Sequence, residues 1–313
     1  MFARLTENKL ILIKRKTRLE ELIYRFNTAD QARFYIEHLG ADFSDYLKED
    51  DTYRCAISEA LRQIELLGKV QVVDRAHLPN FLFGPEDIVV AIGQDGLVAN
   101  TLKYLSAQPL IGINPDPVRW DGVLLPFTIG DLTTIITEVF AKRRRLKEVT
   151  LAKAVLNDGQ TMYAVNDIFI GQKTHVSARY MIETGGRSEQ HSSSGIIVST
   201  GLGSTGWLKS VITGAATIAG GENSIGIKPP ADIQYSWDSN FLYYSVREPF
   251  VSKTSAAGLV FGRVTPDRPL KITSLMPENG VIFSDGIEND FLQFNSGVEA
   301  TITLAEKRGL LVV

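Results

Sequence analysis

Residues 86–105 read EDIVVAIGQDGLVANTLKYL, and the parsing of this stretch decides the fold. The run IVVAI is apolar at every position, the pattern of a strand buried on both faces. It leads straight into Gly93-Gln94-Asp95-Gly96, after which residues 97–105 resume with helical spacing. Strand, glycine turn and helix in immediate succession open a βαβ unit of a parallel sheet. Ligands bind such sheets at the carboxyl ends of the strands. Glycine backbone and a helix N-terminus there offer N–H groups to phosphate. Asp95 calls for a second role, because a carboxylate would repel a phosphate held by the loop alone. It can accept a proton from an attacking hydroxyl, hold a cation that neutralises phosphate, or cap the next helix.

Working outward, KLILIK (9–14), KVQVVD (69–74) and PLIGINP (109–115) read as further strands. NTADQARFYIEHLG (27–40) and DDTYRCAISEALRQIELLG (50–68) read as helices, the second with Asp51 as N-cap and Gly68 just past its end. FTIGDLTTIITEVFAKRRRLKE (127–148) reads as one more helix, whose basic run at 142–145 suits the C-terminal end of the dipole. From about residue 149 the texture changes to short β-rich segments such as TMYAVNDIFIG, HVSARYMIET, LYYSVREPF and GVIFSDG, separated by turn residues. Only GWLKSVITGAATIAGG looks helical there. The expected organisation is an α/β domain over residues 1–148 and a β-rich domain over 149–313.

Composition narrows the function classes. With 313 residues, 44% hydrophobic and 22% charged, the chain reads as a globular protein of two domains. A net charge of -3 gives no general attraction for nucleic acid or anionic lipid. No apolar run approaches the ~18 residues of a membrane span, and no secretory signal is visible, so a cytoplasmic location is expected. Cys55, the sole cysteine, excludes an intrachain disulfide and a multi-cysteine metal site, and is expected in a core or half-buried position. His175 and His191 show no metal spacing and read as exposed loop residues, so no metal ligands are assigned.

A second glycine cluster, SSGIIVSTGLGSTGW (193–207), carries Gly201, Gly203 and Gly206 at the spacing of a dinucleotide fingerprint. That fingerprint requires a βαβ setting and an acidic residue ~20 positions later at a strand end. Glu222 follows Gly220-Gly221 instead, in the β-rich half. Hydride transfer is therefore disfavoured, while close backbone approach to a polar nucleotide surface remains, beside the alternative of a tight structural turn. The phosphate loop of P-loop kinases is absent, since Trp207 stands where its lysine belongs.

Taken together and in order, these segments resemble the NAD kinase family, and more closely its mitochondrial-type branch and related bacterial proteins. The resemblance rests on GQDG (93–96), GINPDPVRWDGVLLP, NDIFIG, SSGIIVSTGLGSTGW, FLYYSVREP and FSDG, over roughly residues 89–290. It implies a parallel, Rossmann-like N-terminal sheet and a β-rich C-terminal domain, the NAD kinase/diacylglycerol kinase-like fold. It also implies transfer of the terminal phosphoryl group of ATP, with Mg2+, to the adenosine 2′-hydroxyl of NAD, giving NADP, and a homodimer or larger homo-oligomer.

By motif match, Asp95 would be the general base, with Gly93, Gln94 and Gly96 shaping the donor-phosphate loop. Asn166, Asp167, Ser199, Thr200, Gly203, Ser204 and Thr205 would bind NAD, with Trp207 as an aromatic wall or a core residue. Asn114 and Arg119 would lie near the cleft, Arg119 facing either phosphate or solvent. Arg247-Glu248-Pro249 and Asp285-Gly286 read as architectural first and site-forming second. Two departures stand out. Gln94 replaces a glycine, so either the backbone there is ordinary and its amide meets the donor, or phosphate binding is weakened. Leu97 replaces a threonine and removes a hydroxyl. The alternatives are a same-fold nucleotide-binding protein without kinase activity, or a kinase acting on a sugar or lipid hydroxyl.

Overall fold

The computed structural model describes residues 6–220, 234–288 and 290–313, which form two units, one of residues 1–147 with 310–313 and one of residues 148–309. Each is an independent packing problem.

The first unit is a parallel sheet. Its strands are β1 (Lys9–Lys14), β2 (Lys69–Asp74), β3 (Ile88–Ile92), β4 (Pro109–Asn114) and the short β5 (Phe127–Thr128). They run in the order β2-β1-β3-β4, with β5 on the far side of β4. The chain's last residues join the same edge, where Leu310 and Leu311 pair in parallel with Pro109 and Leu110. All five residues of β3 are buried, as the apolar run requires. Side chains alternate across the sheet. Leu10, Leu12, Ile88, Val90, Ile92, Ile111 and Ile113 share one core with α3 (Ser44–Glu65) and α5 (Leu132–Phe140). The opposite face carries Ile11, Ile13, Val89 and Leu110, all buried, and α4 (Asp95–Tyr104) packs on β3 and β4.

Three expectations change here. α3 begins at Ser44, so Asp51 is an exposed residue inside the helix and not its cap. The 127–148 segment is a two-residue strand, then α5 ending at Phe140, then the start of a new strand at Leu146. There Arg144 pairs with Glu138 at 2.6 Å, consistent with a basic end to α5. Cys55 is exposed on α3, because the buried stripe of that helix passes through Tyr53, Ala56, Ala60 and Ile64. A helix not foreseen, α1 (Arg18–Phe26), starts with a capping box between Thr17 and Glu20. It packs with α2 (Ala29–His38) around Leu19, Ala32, Ile36 and Phe43.

The second unit contains two β-sheets. One runs β10 (Arg187–Ser193), β9 (Ala178–Thr184), β14 (Leu270–Ser274), β17 (Glu299–Val312), with β17 also paired to β6 (Leu146–Leu156) and β6 to β7 (Thr161–Ala164). The other, wholly antiparallel, runs β13 (Phe261–Val264), β12 (Leu242–Val246), β11 (Ile196–Ser199), β8 (Asp167–Gln172), β15 (Gly280–Ser284), β16 (Phe291–Gln293). Their inward residues, among them Ile168, Tyr180, Val198, Tyr244, Ile272 and Ile302, form one core. The outer face of the second sheet presents Phe169, Ile197 and Val281 to α6 (Trp207–Gly220). The fold is therefore an α/β unit followed by a β-rich one. Among the described residues no helix is long and apolar enough to cross a membrane.

Candidate functional site

In the first unit the chemistry gathers where β3 ends. Gln94 is the N-cap of α4 with φ -116° and ψ 163°, ordinary extended backbone. A side chain is therefore accommodated where a glycine was expected, and it makes no capping bond to the helix. Gly93 is closely packed: a Cβ there would stand 2.9 Å from Leu97 Cδ2, and the leucine side chain would have to shift. Around Gly96 a Cβ would meet nothing within 4 Å, so no protein contact demands glycine at this exposed position.

Asp95 is the first residue of α4, and its carboxylate accepts two backbone N–H groups, Leu124 at 2.8 Å and Val123 at 3.2 Å. The carboxylate thus anchors the loop that follows β4. Asn114 closes the other end of this loop. Its amide donates to the Trp120 carbonyl at 2.9 Å and its Oδ1 accepts from the Asp116 backbone at 3.1 Å. Arg119 is half-buried. Its guanidinium forks onto Asp45 at 2.7 and 3.0 Å and reaches Asp116 at 3.3 Å. The hydrogen bonds from Arg119 and Arg18 hold the Asp45 carboxyl well below the usual carboxylate range.

Arg15 was not singled out from sequence. It follows β1 directly and sits beside the same turn, with Nε 3.7 Å from the Cβ position of Gly93. Glu49 accepts its Nη2 at 2.8 Å and the Lys16 carbonyl accepts its Nη1 at 2.8 Å, while Nε is buried without a partner among the described residues. Burial pushes the Glu49 carboxyl up, but the bonds from Arg15 and Arg18 outweigh it and its pKa ends low. Tyr53 stiffens the arrangement, accepting from the Arg15 backbone at 3.0 Å and donating to the Ile92 carbonyl at 2.8 Å. The signal in sequence was slight: a cation placed just past a parallel strand, on the edge where ligands bind.

In the second unit two distant segments meet. A Cβ on Gly203 would fall 2.1 Å from the carbonyl oxygen of Asn166, so only glycine lets the loop lie on this turn. Thr200 bridges the same contact, its backbone donating to the Asn166 carbonyl at 2.9 Å and its hydroxyl to the Val165 carbonyl. Gly201 is likewise pressed against the Ser236 carbonyl. The hydroxyls divide in role. Ser199, Thr200 and Ser204 are buried and spend their hydrogens on backbone carbonyls of Thr200, Val165 and Gly201, so they build the loop. Thr205 and Gly206 are exposed.

Asn166 is half-buried and its amide makes no hydrogen bond among the described residues. Asp167 is 8% exposed. Burial, and then the neighbouring Asp285 charge, push its carboxyl up to about 7. Trp207 packs into the cluster under α6, its ring stacked on Phe169 at 5.6 Å with the Arg247 guanidinium 5.3 Å from its centre. It therefore anchors the helix. His191 is fully buried on β10, with Nε2 3.1 Å from Glu189, which corrects the expectation of an exposed loop; His175 is exposed. Glu222 lies outside the described residues.

A parallel α/β sheet unit followed by a β-rich unit is a fold similar to that of solved NAD kinases. An NAD kinase from Archaeoglobus fulgidus in complex with ATP is similar to this chain with a TM-score of 0.56 and 17% identity, over 97% of this chain and 93% of that one. Yeast NADH kinase complexed with NADH is similar with a TM-score of 0.57 and 14% identity, over 98% of this chain and 84% of that one. No family model and no curated protein matches the sequence.

Proposed function

We propose that the chain transfers the γ-phosphoryl group of ATP to the 2′-hydroxyl of the adenosine ribose of NAD, giving NADP. The observation that carries this reading is the contact of Gly203 with Asn166, which joins the 165–167 turn and the 199–206 loop into one polar, backbone-lined surface. An amide without an internal partner and a carboxyl at its edge suit the donors and acceptors of a ribose and an adenine. The shared fold and the order of the motifs support the same substrate.

In the first unit, Gly96, the N-terminus of α4 and the Arg15 Nε–H receive the donor phosphates. Gln94, whose side chain makes no capping bond to the helix, donates to them in this reading. Asp95 takes the proton of the 2′-hydroxyl as the ribose oxygen bonds to the γ-phosphorus. The β–γ bridging P–O bond breaks and ADP leaves with that electron pair. Magnesium would come with the donor, held by its phosphate oxygens. Among the described residues no three acidic, histidine or cysteine side chains form a separate cage for it. Its chemistry would be neutralisation of phosphate charge. Self-association as a homodimer or larger assembly and membership of the mitochondrial-type branch belong to the same proposal, carried by the family resemblance, and a cytoplasmic location belongs to it on the sequence reading of no secretory signal.

The test is incubation of purified protein with NAD, ATP and magnesium, with NADP detected through an NADP-specific dehydrogenase. A second reading, nucleotide binding without transfer, draws on Leu97, which is buried where the family places a threonine. NAD bound tightly with no NADP formed at high protein concentration favours it. Competition with sugars and diacylglycerol separates kinases acting on other hydroxyls.

A further inference from the structure

We infer that Asp285 is a positioning residue for the nucleotide acceptor: its carboxylate grips the Val165–Asn166–Asp167 turn and so fixes how Asn166 and Asp167 meet the adenosine ribose. The inference rests on the NAD-binding reading of that turn. Three consecutive backbone N–H groups converge on this one side chain, Val165 at 3.1 Å to each oxygen, Asn166 at 2.7 Å and Asp167 at 3.3 Å. The Asp285 backbone N–H returns the contact to the Asp167 carbonyl at 3.0 Å. Successive N–H groups aimed at one point make a nest, a site that prefers an anion. Here the protein supplies its own.

The geometry is held at a conformational cost. Asp285 has φ 55° and Gly286 φ 70°, so two consecutive residues after β15 are left-handed. Asp is among the few residues that tolerate this region, and its side chain meets the 165–167 segment from there. The grip falls on the residues that carry the ribose-binding groups and on the carbonyl that receives Gly203. Asp285 also places a negative charge beside Asp167, reinforcing the proton-holding character that burial gives that carboxyl.

The experiment compares wild type with Asp285→Ala and Asp285→Asn by calorimetry for NAD and for ATP and by steady-state kinetics in both substrates. Asn keeps the volume and one acceptor oxygen, so it carries the test where Ala does not fold. The expected result is NAD binding weakened ~10–100-fold in Ala and by less in Asn, the scale of losing charged hydrogen bonds. KM for NAD follows, while ATP binding stays within about 2-fold, a split that general loosening of the fold does not produce. NAD affinity unchanged in a folded variant overturns the inference, as does an equal loss for both nucleotides. Wild type that binds NAD without making NADP refutes the kinase reading alone, and the affinity ratio still decides Asp285. Wild type that binds no NAD refutes both.

Discussion

The carboxylate of Asp95 accepts the backbone N–H of Leu124 at 2.8 Å, so the residue assigned as proton acceptor also ties down the loop after β4. One acidic side chain thereby fixes the turn, the start of α4 and the neighbouring loop. The two duties can be separated by substitution. Asp95→Asn keeps an acceptor oxygen for Leu124 but cannot take a proton. We expect it to bind NAD like wild type and to turn over at least ~100-fold more slowly, the scale of a lost general base. Turnover within a few-fold of wild type would remove Asp95 from the chemistry.

Gly203 and Gly96 make opposite forecasts. Gly203→Ala forces a methyl group to 2.1 Å from the Asn166 carbonyl, and the loop must move. Overpacking of this kind costs about 1–3 kcal/mol, and NAD affinity should fall while ATP affinity holds. Gly96→Ala meets no protein atom within 4 Å, so stability should be unchanged. If phosphate approaches the backbone there, KM for ATP rises. Denaturant titration and calorimetry on the two variants read both halves of this contrast.

Asp167 carries a pH dependence with a definite sign. Its folded pKa, about 7, lies above the ordinary 3.8, so between these values the folded state binds the extra proton. Its contribution to stability is present at low pH and is lost as pH rises through that window. The scale is on the order of a few kcal/mol. Asp167→Asn removes the titration, and its stability should fall less than that of wild type between pH 3.8 and about 7. Parallel urea-denaturation profiles for the two proteins would contradict the assignment.

Arg15 offers beside Gly93 a buried Nε that is unpartnered among the described residues. Arg15→Gln should raise KM for ATP about 10-fold or more and leave NAD affinity alone, as expected for loss of a charged contact to phosphate. Arg15→Lys should not restore it, because a lysine lacks the fork that holds Glu49 while presenting Nε. Equal KM for ATP in all three proteins would assign Arg15 to stability only.

The legible part of this molecule was its local order. The run at 88–92, the turn at 93–96 and the texture change near residue 149 gave the α/β and β-rich halves, because periodicity and glycine punctuation are local signals. α1 is marked by Thr17 and Glu20, a capping box directly after the basic residues Lys14, Arg15 and Lys16. β10 was hidden, since RSEQHSS is polar and its pairing with β9 supplies the strand. Candidate site residues were named where a motif carried them. Arg15 with Glu49 was not, because the partners lie 34 residues apart and meet only in the fold. The hydroxyls of Ser199, Thr200 and Ser204 show the converse: their presence in the loop was readable, but their direction, into its own carbonyls, was not.

Transfer of labelled phosphate from γ-labelled ATP to NAD tests the central claim most directly. The expected result is label on the 2′-position of the adenosine ribose, formed by wild type and nearly abolished in Asp95→Asn. Label appearing only in free phosphate, or on no acceptor while NAD is bound, would contradict it.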